Sequence, residues 1–238
     1  MRYKLNIIVP VYNEEENLER LETELANYLK IASVPSSVLF VNDGSTDRSQ
    51  TLIEDICDRN EAFEYILFKQ NRGLSTAIKA GFDYTDTELV GYIDADLQTK
   101  PEDFNILLEH IDAHALVTGV RTNRKDAFAK KMSSKIANSI RRMFTKDGMD
   151  DTNCPLRIIK TDYAKRIPMF RGLHRFLPAM IMLQKGTIVQ IPIQHFPRVA
   201  GTSKYGFWNR LFGPLIDCFA YLWMKKNYIN YEVTKSSK

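Results

Sequence analysis

The chain has 238 residues, 44% hydrophobic and 26% charged, proportions that exclude wholesale disorder and allow one large α/β domain with a proper core. Its net charge of +4 hides an asymmetry: residues 1–120 carry 10 Lys/Arg against 22 Asp/Glu, and residues 121–238 carry 23 against 7. A positive half of that size suits either a solvated basic face or an anionic partner: nucleic acid, phosphate or an acidic membrane surface.

The first 120 residues alternate strands and helices. Leu5–Val11 is a short β-branched strand, followed by an acidic helix over Glu14–Lys30. Val38–Asn42 is a second strand, ended by the turn Asp43-Gly44-Ser45, and Thr46 or Asp47 caps a helix running to about Asn60. Phe63–Phe68 reads as a strand, Leu74–Tyr84 as a helix and Glu88–Ile93 as a strand. Pro101 opens a helix over Glu102–Asp112, and Ala115–Gly119 is a fifth strand. Apolar strands separated by helices predict a mostly parallel central sheet flanked by helices, with ligands at the carboxyl ends of the strands.

The second half is less regular. It predicts a basic helix over Ala127–Phe144, a strand over Cys154–Lys160, a helix over His174–Gln184 and a strand over Thr187–Ile193. An aromatic, amphipathic helix over Phe207–Lys226 forms a basic C-terminal helical extension, ahead of a polar tail at 229–238. That helix suits either a membrane interface or the domain's own core. No linker divides the chain, so residues 1–238 read as one domain, with 1–120, 121–205 and a terminal helix over 206–228 as its parts. Cys57, Cys154 and Cys218 have no pairing or metal spacing and read as reduced thiols. No stretch reaches the roughly 18 apolar residues of a membrane span, and the N-terminal apolar run is too short for a signal peptide. The expected location is cytoplasmic and peripheral to the inner face of the membrane.

The strongest local signal is Tyr92-Ile93-Asp94-Ala95-Asp96-Leu97-Gln98, two carboxylates one residue apart just after a buried strand. Such a turn suits a hard divalent cation such as Mg²⁺ or Mn²⁺, which takes oxygen ligands and often shares them with phosphate. Alone it reads equally as a helix-capping turn.

Other strand ends carry Pro10-Val-Tyr-Asn-Glu-Glu-Glu-Asn17, Val41-Asn-Asp-Gly-Ser-Thr-Asp47 and Asn71-Arg-Gly-Leu74. With Asp94-Ala-Asp-Leu-Gln98 these four ordered motifs resemble the family 2 glycosyltransferases of the Rossmann-like, nucleotide-sugar-binding (GT-A) fold. The resemblance implies a UDP- or GDP-linked sugar donor held by Pro10, Tyr12, Glu14, Asp43, Asp94, Ala95 and Asp96. It also implies Mg²⁺ or Mn²⁺ on Asp94, Asp96 and Gln98. Asn42 stands where many relatives have Asp, which places the nucleoside contact on Asp43.

Gly119-Val-Arg121, Asp151-Thr-Asn-Cys-Pro-Leu-Arg157, His174-Arg-Phe-Leu-Pro178 and Arg198-Val-Ala-Gly-Thr-Ser-Lys-Tyr205 are similar to polyprenyl-phosphate glycosyltransferases of the dolichol-phosphate mannose synthase type. That implies an inverting transfer to a polyprenyl phosphate, with membrane or a membrane protein as partner. Arg121, Arg124, Arg157, Arg198, Ser203 and Lys204 are then candidates for the acceptor phosphate, and Asp94, Asp96, Arg121 and Arg198 for catalysis. Blander roles stand beside these: Arg157 as a structural partner of Asp151, Glu14 favouring a helix N-terminus, and His174 as a core or capping side chain. A saccharide acceptor demands a base carboxylate, and acids are scarce after residue 120. Nucleic acid is not expected, because the aromatics sit in the terminal helix rather than among the basic residues.

Overall fold

A computed structural model describes residues 2–122, 139, 141–152, 154–196, 212–230 and 234–235. Seven strands form one sheet: β1 Leu5–Val11, β2 Ser36–Asn42, β3 Phe63–Leu67, β4 Leu89–Tyr92, β5 Leu116–Thr122, β6 Arg157–Lys160 and β7 Ile188–Gln194. Their order is β3-β2-β1-β4-β6-β5-β7, with β6 antiparallel to both neighbours and the other pairings parallel. The expected mostly parallel α/β sheet is therefore present.

The helices are α1 Glu15–Ile31, α2 Ser49–Arg59, α3 Leu74–Tyr84, α4 Asp103–Leu108, α5 Thr161–Lys165, α6 Leu177–Leu183 and α7 Phe212–Asn227. They cover both faces, since the sheet is apolar on both. β1 alternates Leu5, Ile7 and Val9 into a core with α1, α2 and α4, while Ile8 enters a second core with α3, α6 and α7. This alternation is the period of a strand buried on both sides.

Several boundaries differ from expectation for local reasons. α2 begins at Ser49 with Arg48 at the N-cap position and no side-chain cap bond, so neither Thr46 nor Asp47 is the cap; Asp47 Oδ1 accepts from the Ser49 amide at 2.9 Å as a turn ahead of the helix. α4 stops at Leu108 and continues as turns. The segment expected as a helix from His174 opens as a 3₁₀ turn over Leu173–Phe176 before α6, because Pro178 lacks the amide that an earlier α-helical start would use. Of the expected basic helix, residues 141–145 are described and helical. α7 matches the latter part of the expected terminal helix; its start at Phe207 lies outside the described residues.

The order of the strands fixes where a ligand can lie. From β1 the chain runs outward through β2 and β3, then crosses back to β4 on the other side of β1. The carboxyl ends of β1 and β4 thus flank a topological switch point, the usual crevice of an open α/β sheet. The reversed strand β6 adds something a parallel strand could not. Its first residue, Arg157, sits at the same end, in register with Tyr92 of β4 and Thr118 of β5.

Candidate active site

Three loops at the carboxyl ends of β1, β2 and β3 are tied to one another. Asn13 is left-handed with φ 51, a conformation Asn tolerates. Its amide donates to Ser45 Oγ at 2.9 Å, and its side-chain oxygen accepts from the Thr46 amide at 2.8 Å. The Glu14 amide donates to Ser49 Oγ at 3.0 Å, and the Glu14 carboxylate accepts from Asn17 Nδ2 at 2.7 Å. Pro10 and Tyr12 are half-buried beside this joint.

Asp43, next along, is buried and accepts from the Arg72 amide at 2.6 Å, the Gly73 amide at 2.8 Å and Asn71 Nδ2 at 3.0 Å. These three bonds fasten the β3 loop to the end of β2. Asn42, the departure from the family pattern, is also buried and occupied. Its amide donates to Gln50 Oε1 at 2.8 Å, and its oxygen accepts from the Ser45 amide at 2.9 Å.

The Asp-x-Asp turn follows β4. Asp96 is buried and its Oδ1 accepts from the Gln98 amide at 3.2 Å; Ala95 is buried and Gln98 half-buried. Leu97 takes a left-handed φ of 50, an unusual state for a branched side chain and a mark of strain at the turn. Burial, and then the charge of Asp96, push the Asp94 carboxyl up to about 6, against the opposing pull of the Tyr92 hydroxyl, Arg157 and Arg121. Burial holds the Tyr92 hydroxyl well above its usual range, so it stays protonated and donates to Asp94 Oδ1.

The donor set here is entirely oxygen: two carboxylates and an amide. Among the described residues no group of three or more His, Cys, Asp or Glu side chains converges anywhere. Two crowded carboxylates and one amide oxygen fit a hard cation that takes its remaining ligands from elsewhere.

The basic residues divide. Arg121, at the end of β5, makes a two-pronged contact with Asp151: Nε to Oδ2 at 2.7 Å and Nη2 to Oδ1 at 3.0 Å. The structural partner of Asp151 is thus Arg121 and not Arg157, whose guanidinium is taken up by backbone carbonyls of the same loop. Arg157 is buried, lies over the Tyr92 ring with its guanidinium carbon 5.5 Å from the centroid, and donates Nη2 to the Thr152 and Cys154 carbonyls. Its Nε has no hydrogen-bond partner. With Leu74, Tyr92, Asp94, Thr152, Pro155 and His174, Arg157 lines a cavity of about 90 Å³. Arg124, Arg198, Ser203 and Lys204 lie outside the described residues. The path toward Arg198 leaves from this site, however: the Phe196 amide donates to the Gln98 carbonyl at 2.9 Å, and Lys100 sits over the Phe196 ring.

Two contacts at the site could not be read from the sequence. Ser75, on the first turn of α3, contacts His174 Nδ1 at 2.8 Å across 99 residues of chain. Tyr92 reads as a strand residue, and only the fold shows its hydroxyl turned to Asp94.

A Rossmann-like sheet whose switch point carries two crowded carboxylates, flanked by arginines, defines a nucleotide-diphospho-sugar transferase of the GT-A class. The family model for glycosyl transferase family 2 matches residues 6–167, and the chain belongs to that family: it is a glycosyltransferase.

Solved structures agree on the fold. One is the glucosyl-3-phosphoglycerate synthase of Mycobacterium tuberculosis, in complex with Mn²⁺, UDP and glucosyl-3-phosphoglycerate. It is 13% identical, with 94% of this chain and 80% of that one covered at a TM-score of 0.71. Another is a mannosyltransferase from Pyrobaculum calidifontis in complex with GDP-mannose and Mn²⁺. It is 17% identical, with 92% of this chain and 64% of that one covered at a TM-score of 0.63.

Proposed function

We propose that the protein is an inverting, metal-dependent glycosyltransferase that moves a sugar from a UDP- or GDP-sugar to a polyprenyl phosphate at the inner face of the membrane. The observation that carries this reading is the composition of the cavity beside Asp94. Among the described residues its only acid is Asp94 itself, and the guanidinium of Arg157 stands close enough to favour the ionised form of that carboxylate. An acceptor hydroxyl would need a second carboxylate as base. A phosphate arrives already ionised and needs only to be positioned and to have its charge offset.

In this reading Pro10, Tyr12, Glu14, Asp43 and Ala95 shape the donor's nucleoside and diphosphate pocket. Asp94, Asp96 and Gln98 hold Mg²⁺ or Mn²⁺, which supplies charge neutralisation to the departing diphosphate. Arg121, Arg124, Arg157, Arg198, Ser203 and Lys204 receive the acceptor phosphate, with Arg157 nearest the point where sugar and phosphate meet. The Mn²⁺ and nucleotide ligands of the two solved structures support the donor side of this assignment.

The lipid side is supported by α7. Ile216, Phe219 and Trp223 are exposed along it, Met143 is exposed nearby, and Lys225 and Lys226 end the helix. Exposed aromatics closed by lysines suit the headgroup boundary. Among the described residues no helix is long and apolar enough to cross a membrane, so contact along the surface is the mode this helix supports.

The test is transfer of labelled sugar from a panel of UDP- and GDP-sugars, with Mg²⁺ or Mn²⁺, into vesicles containing undecaprenyl phosphate. Formation of a lipid-linked sugar, abolished by Asp96→Ala, is expected. Transfer to soluble saccharides alone, or no transfer with any donor, would overturn the reading.

A further inference from the structure

His174 faces the cavity that also contains Asp94, and its chemistry is set by a residue outside every quoted motif. Ser75 Oγ accepts from the Gly172 amide at 3.0 Å and lies 2.8 Å from His174 Nδ1. Ser75 is buried, so its own proton needs an acceptor. Among the described residues His174 Nδ1 is the one within reach. The hydroxyl therefore donates to Nδ1, which leaves the ring proton on Nε2. Burial, then the charges of Arg175 and Arg157, push the imidazole down to about 3. The ring is neutral near neutrality and is neither an acid nor a base there. What it offers is one N–H of fixed position.

We propose that the Nε2–H of His174, oriented by Ser75, donates a hydrogen bond to a hydroxyl of the sugar being transferred and helps to select that sugar. The cavity walls suit the sugar being transferred, while Arg157 meets the acceptor phosphate on its other side. Arg157 and His174 donate, the Asp94 carboxylate accepts, and Leu74 and Pro155 are apolar. A sugar hydroxyl both donates and accepts, and the ring's C–H edges suit the apolar walls.

This inference rests on the donor half of the proposed function, and its test needs no lipid. Binding of UDP-glucose and UDP, and of GDP-mannose and GDP, is measured by calorimetry with Mn²⁺ for wild type, His174→Asn and His174→Gln. Asn keeps a polar atom where Nδ1 meets Ser75 but loses the far N–H. Gln reaches toward the Nε2 position but leaves Ser75.

His174→Asn is expected to weaken the nucleotide sugar about five- to tenfold while leaving the nucleotide unchanged, and Gln to restore most of the loss. A singly deoxygenated donor should bind wild type more weakly by a similar factor, and the Asn variant no more weakly than the full sugar. A merely structural histidine would reverse the order, with Asn tolerated and Gln lowering nucleotide and nucleotide-sugar affinity alike. That outcome, or equal sugar selectivity in all three proteins, overturns the proposal. If lipid transfer fails while these affinities behave as stated, only the acceptor assignment falls.

Discussion

Arg121 and Asp151 meet side-on through two parallel hydrogen bonds, with only 11% and 8% of their side chains exposed. The contact joins the end of β5 to the loop that delivers Arg157, so it braces that wall of the cavity. Removing one member leaves the other charge buried without its counterpart, which costs more than the pair's net worth. Asp151→Asn should destabilise the protein by about 3 kcal/mol. Replacing both residues with apolar side chains of similar size should recover most of that loss. Arg121→Lys should not substitute, because an ammonium cannot reproduce the planar fork. Urea denaturation of the four proteins checks all three statements.

The Asp94 carboxyl stands at about 6 in the folded chain, whereas an aspartate in an unfolded chain titrates at about 3.9. Between those values the folded state keeps a proton that the unfolded state has released. Stability therefore falls as pH rises through the window, and the full penalty applies above it. Without divalent cations, Asp94→Asn should be more stable than wild type at neutral pH by roughly 1 to 3 kcal/mol. The difference should disappear below about pH 4. Denaturation curves at the two pH values in chelator decide the matter; a constant difference would place the effect elsewhere.

Tyr92→Phe acts on the same carboxyl from the other side. The hydroxyl donates to Asp94 and favours its ionised form. Without it the carboxyl titrates higher, so the acid limb of the kcat/KM profile should move to higher pH. The shift should be about one to two units, the worth of one hydrogen bond to a charged group. Unchanged limbs would mean that Asp94 does not have to ionise for turnover.

Gly44 has φ +67, and a Cβ there would lie 2.5 Å from the Gln70 carbonyl carbon. Neither the backbone nor its neighbour can give way, because Asp43 already fastens residues 71–73. Gly44→Ala should therefore push the β2 and β3 loops apart. The expected readouts are a loss of about 2 kcal/mol or more of stability and at least tenfold weaker nucleotide binding. Thermal melts with and without UDP or GDP measure both.

Much of the first half was legible because its signals are local. The helix over Leu74–Tyr84 and the strand over Leu5–Val11 have the predicted limits, each set by a clean apolar period between turn residues. The motifs at strand ends could be placed for the same reason.

What escaped were relations across the chain. Nothing in Arg157–Lys160 encodes that the strand runs backward, yet that reversal brings Arg157 to Tyr92. His174 looked inert because its partner, Ser75, is an ordinary serine on a distant helix. The acceptor residues from Arg198 to Lys204 were read from a motif alone and lie outside the described residues.

α7 grips the segment that carries His174 at three points. Asp217 stands 3.8 Å from Arg175, its carboxylate fills the space where Gly172 lacks a side chain, and Tyr221 stacks on Phe176 at 5.9 Å. Phe219, edge-on to Phe144 at 5.6 Å, and Trp223, on the same helix, stay largely exposed. The last helix is therefore a strut, with one side bolted to the wall of the cavity beside Asp94 and the other open to whatever it rests on. Trimming the chain before Phe212 would spare every motif from Pro10 to Pro178 and still leave His174 without its buttress.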